Sequence, residues 1–195
     1  ESRRTVDADD VRDGDRPIRR VEVDLLADGH GTVWTVGLRD VSLSRAADRF
    51  VATDVGSVDD LAHRLRTVAT ELARAVGYQG AAVLTFRHDG TNVRLTDIDC
   101  VAPAEHATTE ERTGTSITGW RVRIQRGEAL PTREPSGDGV AVEARLVVED
   151  SIDAFRNGPG RVALLSLAVG TGVRIDANRR SGDDVAADDP LLAVF

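Results

Sequence analysis

The sequence contains no lysine: all 25 of its basic residues are arginine. No step on this chain can therefore use a lysine ammonium, neither as a Schiff base nor as a compact phosphate clamp. Methionine is also missing, so the expectation is that residue 1 is not a natural start and that the chain is a piece of a longer polypeptide. The single cysteine, Cys100, excludes an internal disulfide framework and a cysteine-based zinc site. No apolar run approaches the roughly 18 to 20 residues of a membrane span, and no signal-peptide core is present. The net charge of −8 argues against a duplex-DNA or anionic-membrane surface. These absences lead to the expectation of a soluble, cytoplasmic protein that binds neither nucleic acid nor membrane.

What is present is ordinary for a globular chain: 195 residues, 41% hydrophobic and 30% charged. Residues 1–16 are polar and aperiodic and read as a flexible arm. Val21, Val23 and Leu25 alternate with charged residues, Asp28 to Gly31 is a turn, and Thr32 to Val36 reads as the returning strand. Residues 37–47 have no clear pattern. Ser57 to Val76 reads as a helix, with Ser57 as N-cap, Gly77 at the far end, and Leu61, Leu65, Val68, Leu72 and Val76 on its inner face. A second hairpin spans Ala81 to Phe86 and Val93 to Ile98 around Asp89-Gly90. Ser116 to Arg126 reads as a short helix with Ile117, Trp120 and Ile124 inward. The Pro/Gly/Ser-rich stretch 131–139 reads as a linker between a unit at 17–130 and another at 140–195. In the latter, Val140 to Val148, Arg161 to Leu167 and Gly172 to Asp176 read as strands. The order of elements predicts an α+β fold with antiparallel pairing.

Polar residues concentrate in Thr96 to Asp99, in Glu105-His106 and in Glu110-Glu111. Asp97 and Asp99 are two apart, so on a strand they share a face and could hold Mg²⁺ together with phosphate oxygens. The same pair could equally be a solvated strand end. Glu105-His106 could be an acid/base pair or loop surface. His30, His63 and His88 read as exposed.

Seven segments, in order, resemble the biotin carboxylases, the ATP-grasp ligases of biotin-dependent acyl-CoA and pyruvate carboxylases. Arg20-Val-Glu-Val-Asp-Leu-Leu-Ala-Asp-Gly-His-Gly31 resembles that family's "RHVEIQVLADGHG", and Leu38-Arg-Asp-Val-Ser42 its "ERDCS". Ala75-Val-Gly-Tyr-Gln-Gly-Ala81 resembles "AVGYVGA", and Glu105 to Gly114 resembles "EHPVTEEVTG". Arg123 to Pro131, Val142 to Asp150 and Asp189 to Leu192 complete the series. Each motif alone is weak; their order and spacing carry the resemblance.

The resemblance implies the carboxyl-side subdomain of an ATP-grasp fold, an antiparallel sheet with helices, followed by part of the biotin carboxylase C-terminal domain. It implies MgATP and biotin as cofactors, a biotin carrier domain and a carboxyltransferase subunit as partners, and a homodimer. By family position, Arg49, Glu105 and Arg145 are catalytic, Arg20 and Ser44 lie on the nucleotide side, and Asp97 and Asp99 are metal ligands. Several positions depart from the pattern. Thr85 stands where the family has a metal-binding Glu, Val101 where it has the bicarbonate Arg, and Pro103 where it has a Gln. Arg49 replaces a Lys, while Arg20 and Ala47 replace histidines and Ser44 a Gln. The sequence reading is therefore a biotin-carboxylase-like piece, catalytically impaired and serving as scaffold or regulatory element. Its alternative is the carboxyl-side half of a working ATP-dependent carboxylase or a diverged ATP-grasp ligase.

Overall fold

The computed structural model describes residues 12–13, 16–45, 48–49, 51–54, 60–100, 106–150, 152–153 and 156–195. For 12–13, 16–17, 44–45, 48–49 and 51–54 it describes the backbone alone. Contacts divide the chain into two units, Glu1–Val142 and Glu143–Phe195.

The first unit is built on an antiparallel sheet. Its strands are β1 (Arg19–Ala27), β2 (Val33–Asp40), β3 (Val51–Asp54), β4 (Gly80–His88) and β5 (Val93–Asp99). Their spatial order is β3-β2-β1-β4-β5. Both expected hairpins form, as does the antiparallel α+β architecture. The first hairpin's returning strand runs past Val36 to Asp40. Between Asp24 and Leu26 the register shifts, with Asp24 opposite Gly37 but Leu26 opposite Trp34. This bulge breaks the period-two alternation that marks a strand in sequence.

Helix α1 (Asp60–Ala75) covers one face, where Val21, Val23, Leu25, Leu38, Ala82, Leu84 and Phe86 form a core with Ala62, Leu65, Ala69 and Ala73. The buried stripe is rotated from the one the leucine spacing predicts. Val68 and Val76 are exposed, and three alanines take the inner line, which lets the helix lie close on the sheet. Ser57, expected as N-cap, lies outside the described residues. Gly77 follows the helix at φ +62°, the left-handed conformation a C′ residue adopts.

The opposite face is divided along the strands. At one end Leu26, Trp34, Val36 and Ala81 pack against Ile117 and Ile124 of α3 (Ile117–Gln125) and against Leu130 beyond it, with Trp120 against them. Ser116 caps α3 by accepting from the Gly119 amide at 3.1 Å. Next comes α2 (His106–Thr113), a helix the sequence reading did not anticipate. Its buried residues are Thr108 and Thr109, so it carries no apolar stripe to announce it. The stretch 131–139 is tied to this unit at several points. Pro131 O accepts from Trp34 Nε1 at 2.9 Å, Glu134 Oε1 from the Thr35 amide at 3.0 Å, and Gly137 O from Arg112 Nη1 at 2.8 Å.

The second unit contains most of β6 (Ala141–Val147), which pairs with β8 (Leu191–Val194); β8 in turn pairs with β7 (Asp176–Ala177). Two-residue ladders join Glu149–Asp150 to Arg156–Asn157 and Gly160–Arg161 to Asp184–Val185. The strands expected at Arg161 to Leu167 and Gly172 to Asp176 do not form; only their Arg161 and Asp176 ends enter ladders. Val162 is buried, but Leu164 and Val173 are exposed.

Candidate functional site

The face of the sheet that α2 partly covers holds the chemistry. Cross-strand register sets it out in rows. Arg39 on β2 is opposite Glu22 on β1, Glu22 opposite Thr85 on β4, and Thr85 opposite Asp97 on β5. The next row reads Gly37, Asp24, Val83, Asp99. The row on the other side reads Arg20, Arg87, Arg94 across β1, β4 and β5.

The interior end of this face is an ionic cluster. Arg39 and Glu22 are 0% exposed and Asp24 2%. Arg39 Nη1 donates to Asp24 Oδ2 and, at 3.1 Å, to Thr109 Oγ1; Nη2 donates to Glu22 Oε2 at 3.2 Å. Thr109 Oγ1 donates to Asp24 Oδ2 at 2.6 Å. Burial by itself would lower the Arg39 pKa, but the two carboxylates outweigh it and hold the guanidinium charged. The cluster needs Gly37: a Cβ there would lie 2.2 Å from Thr109 Oγ1 and 2.7 Å from Asp24 Oδ2.

The outer end is open. Asp97, Asp99 and Arg94 are exposed, and Arg20 and Arg87 half-buried. A bulge on β5 shapes it: Thr85 faces Asp97 while Phe86 faces Leu95, which leaves Thr96 as the extra residue. Thr96 Oγ1 donates to Thr85 O at 3.0 Å, and Asp97 Oδ1 accepts the Ile98 amide at 2.9 Å.

Of the residues singled out in sequence, the structure brings Arg20, Asp97 and Asp99 onto this one face. Ser44 and Arg49 are Cα partners in a two-residue ladder whose side chains are not described. Glu105 lies outside the described residues, immediately before α2. Arg145, on β6 in the second unit, has its Nε 3.7 Å from Glu143 Oε1, its i−2 neighbour. The sequence reading missed Arg87, Arg94 and Thr109. Arg39 had a signal, since Leu38-Arg-Asp-Val-Ser42 was among the matched motifs.

Asp97 and Asp99 suit the way Mg²⁺ is usually held, by one or two carboxylates completed with water and phosphate oxygens. No group of three His, Cys, Asp or Glu side chains able to hold a metal occurs among the described residues.

This antiparallel sheet backed by helices has the fold of the ATP-grasp domains of biotin carboxylases. The chain belongs to the family of the carbamoyl-phosphate synthase L chain ATP-binding domain, whose model matches residues 16–133. It is 33% identical over 182 residues to the alpha subunit of rat mitochondrial methylcrotonoyl-CoA carboxylase, covering 90% of this chain and 26% of that protein. It is 30% identical over 181 residues to biotin carboxylase of Halalkalibacterium halodurans, covering 90% and 40%. Among solved structures, biotin carboxylase from Campylobacter jejuni superimposes with a TM-score of 0.80 at 26% identity, covering 91% of this chain and 41% of that one. Pyruvate carboxylase from Rhizobium etli gives 0.82 at 26% identity, covering 92% and 19%. The chain thus spans between about a quarter and two-fifths of the curated carboxylases named here. No helix among the described residues is long and apolar enough to cross a membrane.

Proposed function

We propose that this chain is the nucleotide-facing sheet of a biotin-carboxylase-type ATP-grasp module in which bicarbonate activation is impaired. The observation that carries the reading is the pairing of Thr85 with Asp97. On the face that would meet MgATP, a neutral hydroxyl stands directly across from the one carboxylate of that row on the open side. In the resemblance set out above, this is the place of a second carboxylate. Val101 and Pro103 remove the anion-gripping guanidinium and its neighbour. Losing one such charge-assisted contact to a developing charge costs on the order of 100-fold in rate, and three family positions are changed here. The retained Glu105 and Arg145, the charge kept at Arg49, and the nucleotide-side Arg20 and Ser44 fit a binding or scaffold role beside a biotin carrier domain and a carboxyltransferase subunit.

The test is ATP hydrolysis by the complete polypeptide, with and without bicarbonate and free biotin. Hydrolysis that does not respond to either, in a folded protein that still binds nucleotide, supports the proposal. Turnover rising with both means that the pocket makes carboxyphosphate after all, with Arg49, Glu105 and Arg145 the groups to replace next.

A further inference from the structure

Strand β5 ends its sheet: it pairs with β4 on one side, and no strand among the described residues pairs on the other. Such an edge is a template for another chain unless something blunts it. One contact sets the direction of its backbone groups. Thr96 Oγ1 donates to Thr85 O at 3.0 Å, so the Thr85 carbonyl is turned toward β5. The N–H and C=O of one residue point to the same side of a strand, and that side alternates along the chain. The backbone groups of Leu84 and Phe86 therefore face β1. Leu84 is opposite Ile98 and Phe86 opposite Leu95, so the groups of Ile98 and Leu95 face outward. The outward Ile98 amide is already engaged: it donates to Oδ1 of Asp97, the residue before it, at 2.9 Å.

We propose that Asp97 closes the outer edge of the sheet, and that without its carboxylate on the Ile98 amide β5 pairs antiparallel with β5 of a second copy of this chain. The bulge at Thr96 puts the outward positions Leu95 and Ile98 three residues apart. That spacing selects one register, with Leu95 of each copy opposite Ile98 of the other. The side chains match in it. Leu95 packs on the α1 side, and Ile98, opposite Leu84, lies on the same side and is 46% exposed. Pairing brings these two apolar side chains together. Arg94 and Asp99 are exposed on the other face and come opposite each other once on each side of the two-fold axis, a favourable cross-strand pair. Placing Leu95 opposite itself sets Arg94 against Thr96 and gains neither match. This role of Asp97 stands on the edge geometry and does not depend on the nucleotide-facing reading.

The experiment is amide hydrogen exchange and sedimentation velocity of the complete polypeptide over a range of concentrations. The native protein is compared with Asp97→Ala, Asp97→Asn, and Asp97→Ala combined with Arg94→Glu. Asparagine keeps an Oδ1 acceptor and loses the charge; alanine loses both. Asp97 and Arg94 are exposed, so these variants keep the fold. At low concentration the Ile98 amide should exchange about tenfold faster in Asp97→Ala, the size of one lost hydrogen bond, and at the native rate in Asp97→Asn. At high concentration Asp97→Ala should add one association step that doubles the native mass and protects Ile98 again. Arg94→Glu in that background puts a carboxylate opposite Asp99 of the second copy and should abolish the step. Native exchange and native mass in Asp97→Ala overturn the proposal. Association of Asp97→Asn as strong as that of Asp97→Ala also overturns it, because charge rather than the amide contact would then guard the edge. Association that survives Arg94→Glu overturns the pairing of β5 with its copy.

Discussion

Arg39 and Asp24 form an ion pair closed to solvent on both sides, and Glu22 completes it with a second carboxylate on the same guanidinium. Such a group is weak as a source of net stability but severe when broken, because the remaining charge has neither water nor partner. Arg39→Leu should destabilise the fold by about 3 to 5 kcal/mol. Replacing Arg39, Glu22 and Asp24 together by apolar residues of similar volume should cost far less. Urea midpoints of the two variants decide it; equal losses would mean that packing, not uncompensated charge, sets the effect.

Gly37→Ala should be among the costliest small substitutions in the chain. The added methyl meets Thr109 Oγ1 at 2.2 Å and Asp24 Oδ2 at 2.7 Å, atoms that are themselves hydrogen-bonded to each other. Overpacking of this kind costs about 1 to 3 kcal/mol. Thr109→Ala in the Gly37→Ala background opens that space, so the double variant should lose less than the two single losses added. Denaturant unfolding of the four-member cycle measures this.

The same residues show where sequence and structure part. The hairpins, α1 and α3 were readable because each is encoded locally, by alternation, a turn dipeptide or a cap. Two features hid the site. Bulges near Asp24 and at Thr96 shift the alternation by one residue, so that Arg39 and Arg94 point where a regular strand would not send them. Helix α2 buries threonines against an ionic cluster instead of a hydrophobic stripe, and no periodicity reports that. Arg20 and Arg87 are opposite each other through the pairing of β1 with β4, two strands separated in sequence by β2, β3 and α1. Their spacing of two on a strand marked Asp97 and Asp99 in the sequence; it could not show that three arginines share their face.

Acid sensitivity should trace to Asp28. Its carboxylate accepts the amides of His30 at 2.9 Å, Thr32 at 2.8 Å and Leu130 at 2.8 Å. Burial alone would raise its pKa, but these amides outweigh it and hold the group below 3.8. A carboxylate depressed in the folded state contributes stability that is complete above its unfolded pKa, about 4, and lost as pH falls through the folded value. Asp28→Ala should therefore lower stability by about 1 to 3 kcal/mol at pH 7, the cost of leaving buried amides unpaired. It should also flatten the decline below pH 4. Unfolding free energy measured from pH 7 to pH 2 in both proteins provides the comparison.

Both tryptophans of the chain report on one contact. The rings of Trp34 and Trp120 lie 5.4 Å apart, edge to face, and the Arg123 guanidinium is 4.9 Å from the Trp120 ring centroid. Trp34 Nε1 donates to Pro131 O at 2.9 Å. Trp34→Phe keeps most of the apolar area but strands that carbonyl, for an expected loss of about 1 kcal/mol. Trp120→Ala removes the aromatic pair and the cation contact, and should cost about 2 to 4 kcal/mol. Because the Trp pair joins α3 to β2, fluorescence should follow that docking. Fluorescence and circular dichroism transitions should coincide in the native chain, and a separation in Trp120→Ala would locate the weakened contact at α3.

Thr85→Glu tests whether a second carboxylate on the open face would hold a cation. The new carboxylate would stand directly across from Asp97, with Glu22 on its other side. Thr85 is 7% exposed and Glu22 is fully buried, so the substitution should destabilise the fold in the absence of a divalent cation. A cation shared with Asp97 should offset that loss. The expected signature is a Tm below that of the native chain in EDTA, recovered by Mn²⁺ at concentrations that leave the native chain unmoved. Mn²⁺ binding followed by electron paramagnetic resonance should tighten about tenfold or more, the gain of one charge-assisted ligand. Val101→Arg in the complete polypeptide should not by itself bring back bicarbonate-dependent ATP hydrolysis, because Thr85 and Pro103 remain. Thr85→Glu restores the carboxylate but not the anion grip, and should be equally silent in that assay while changing the metal response. Turnover recovered by Val101→Arg alone would show that Thr85 is compatible with the chemistry and that the carboxylate opposite Asp97 is dispensable.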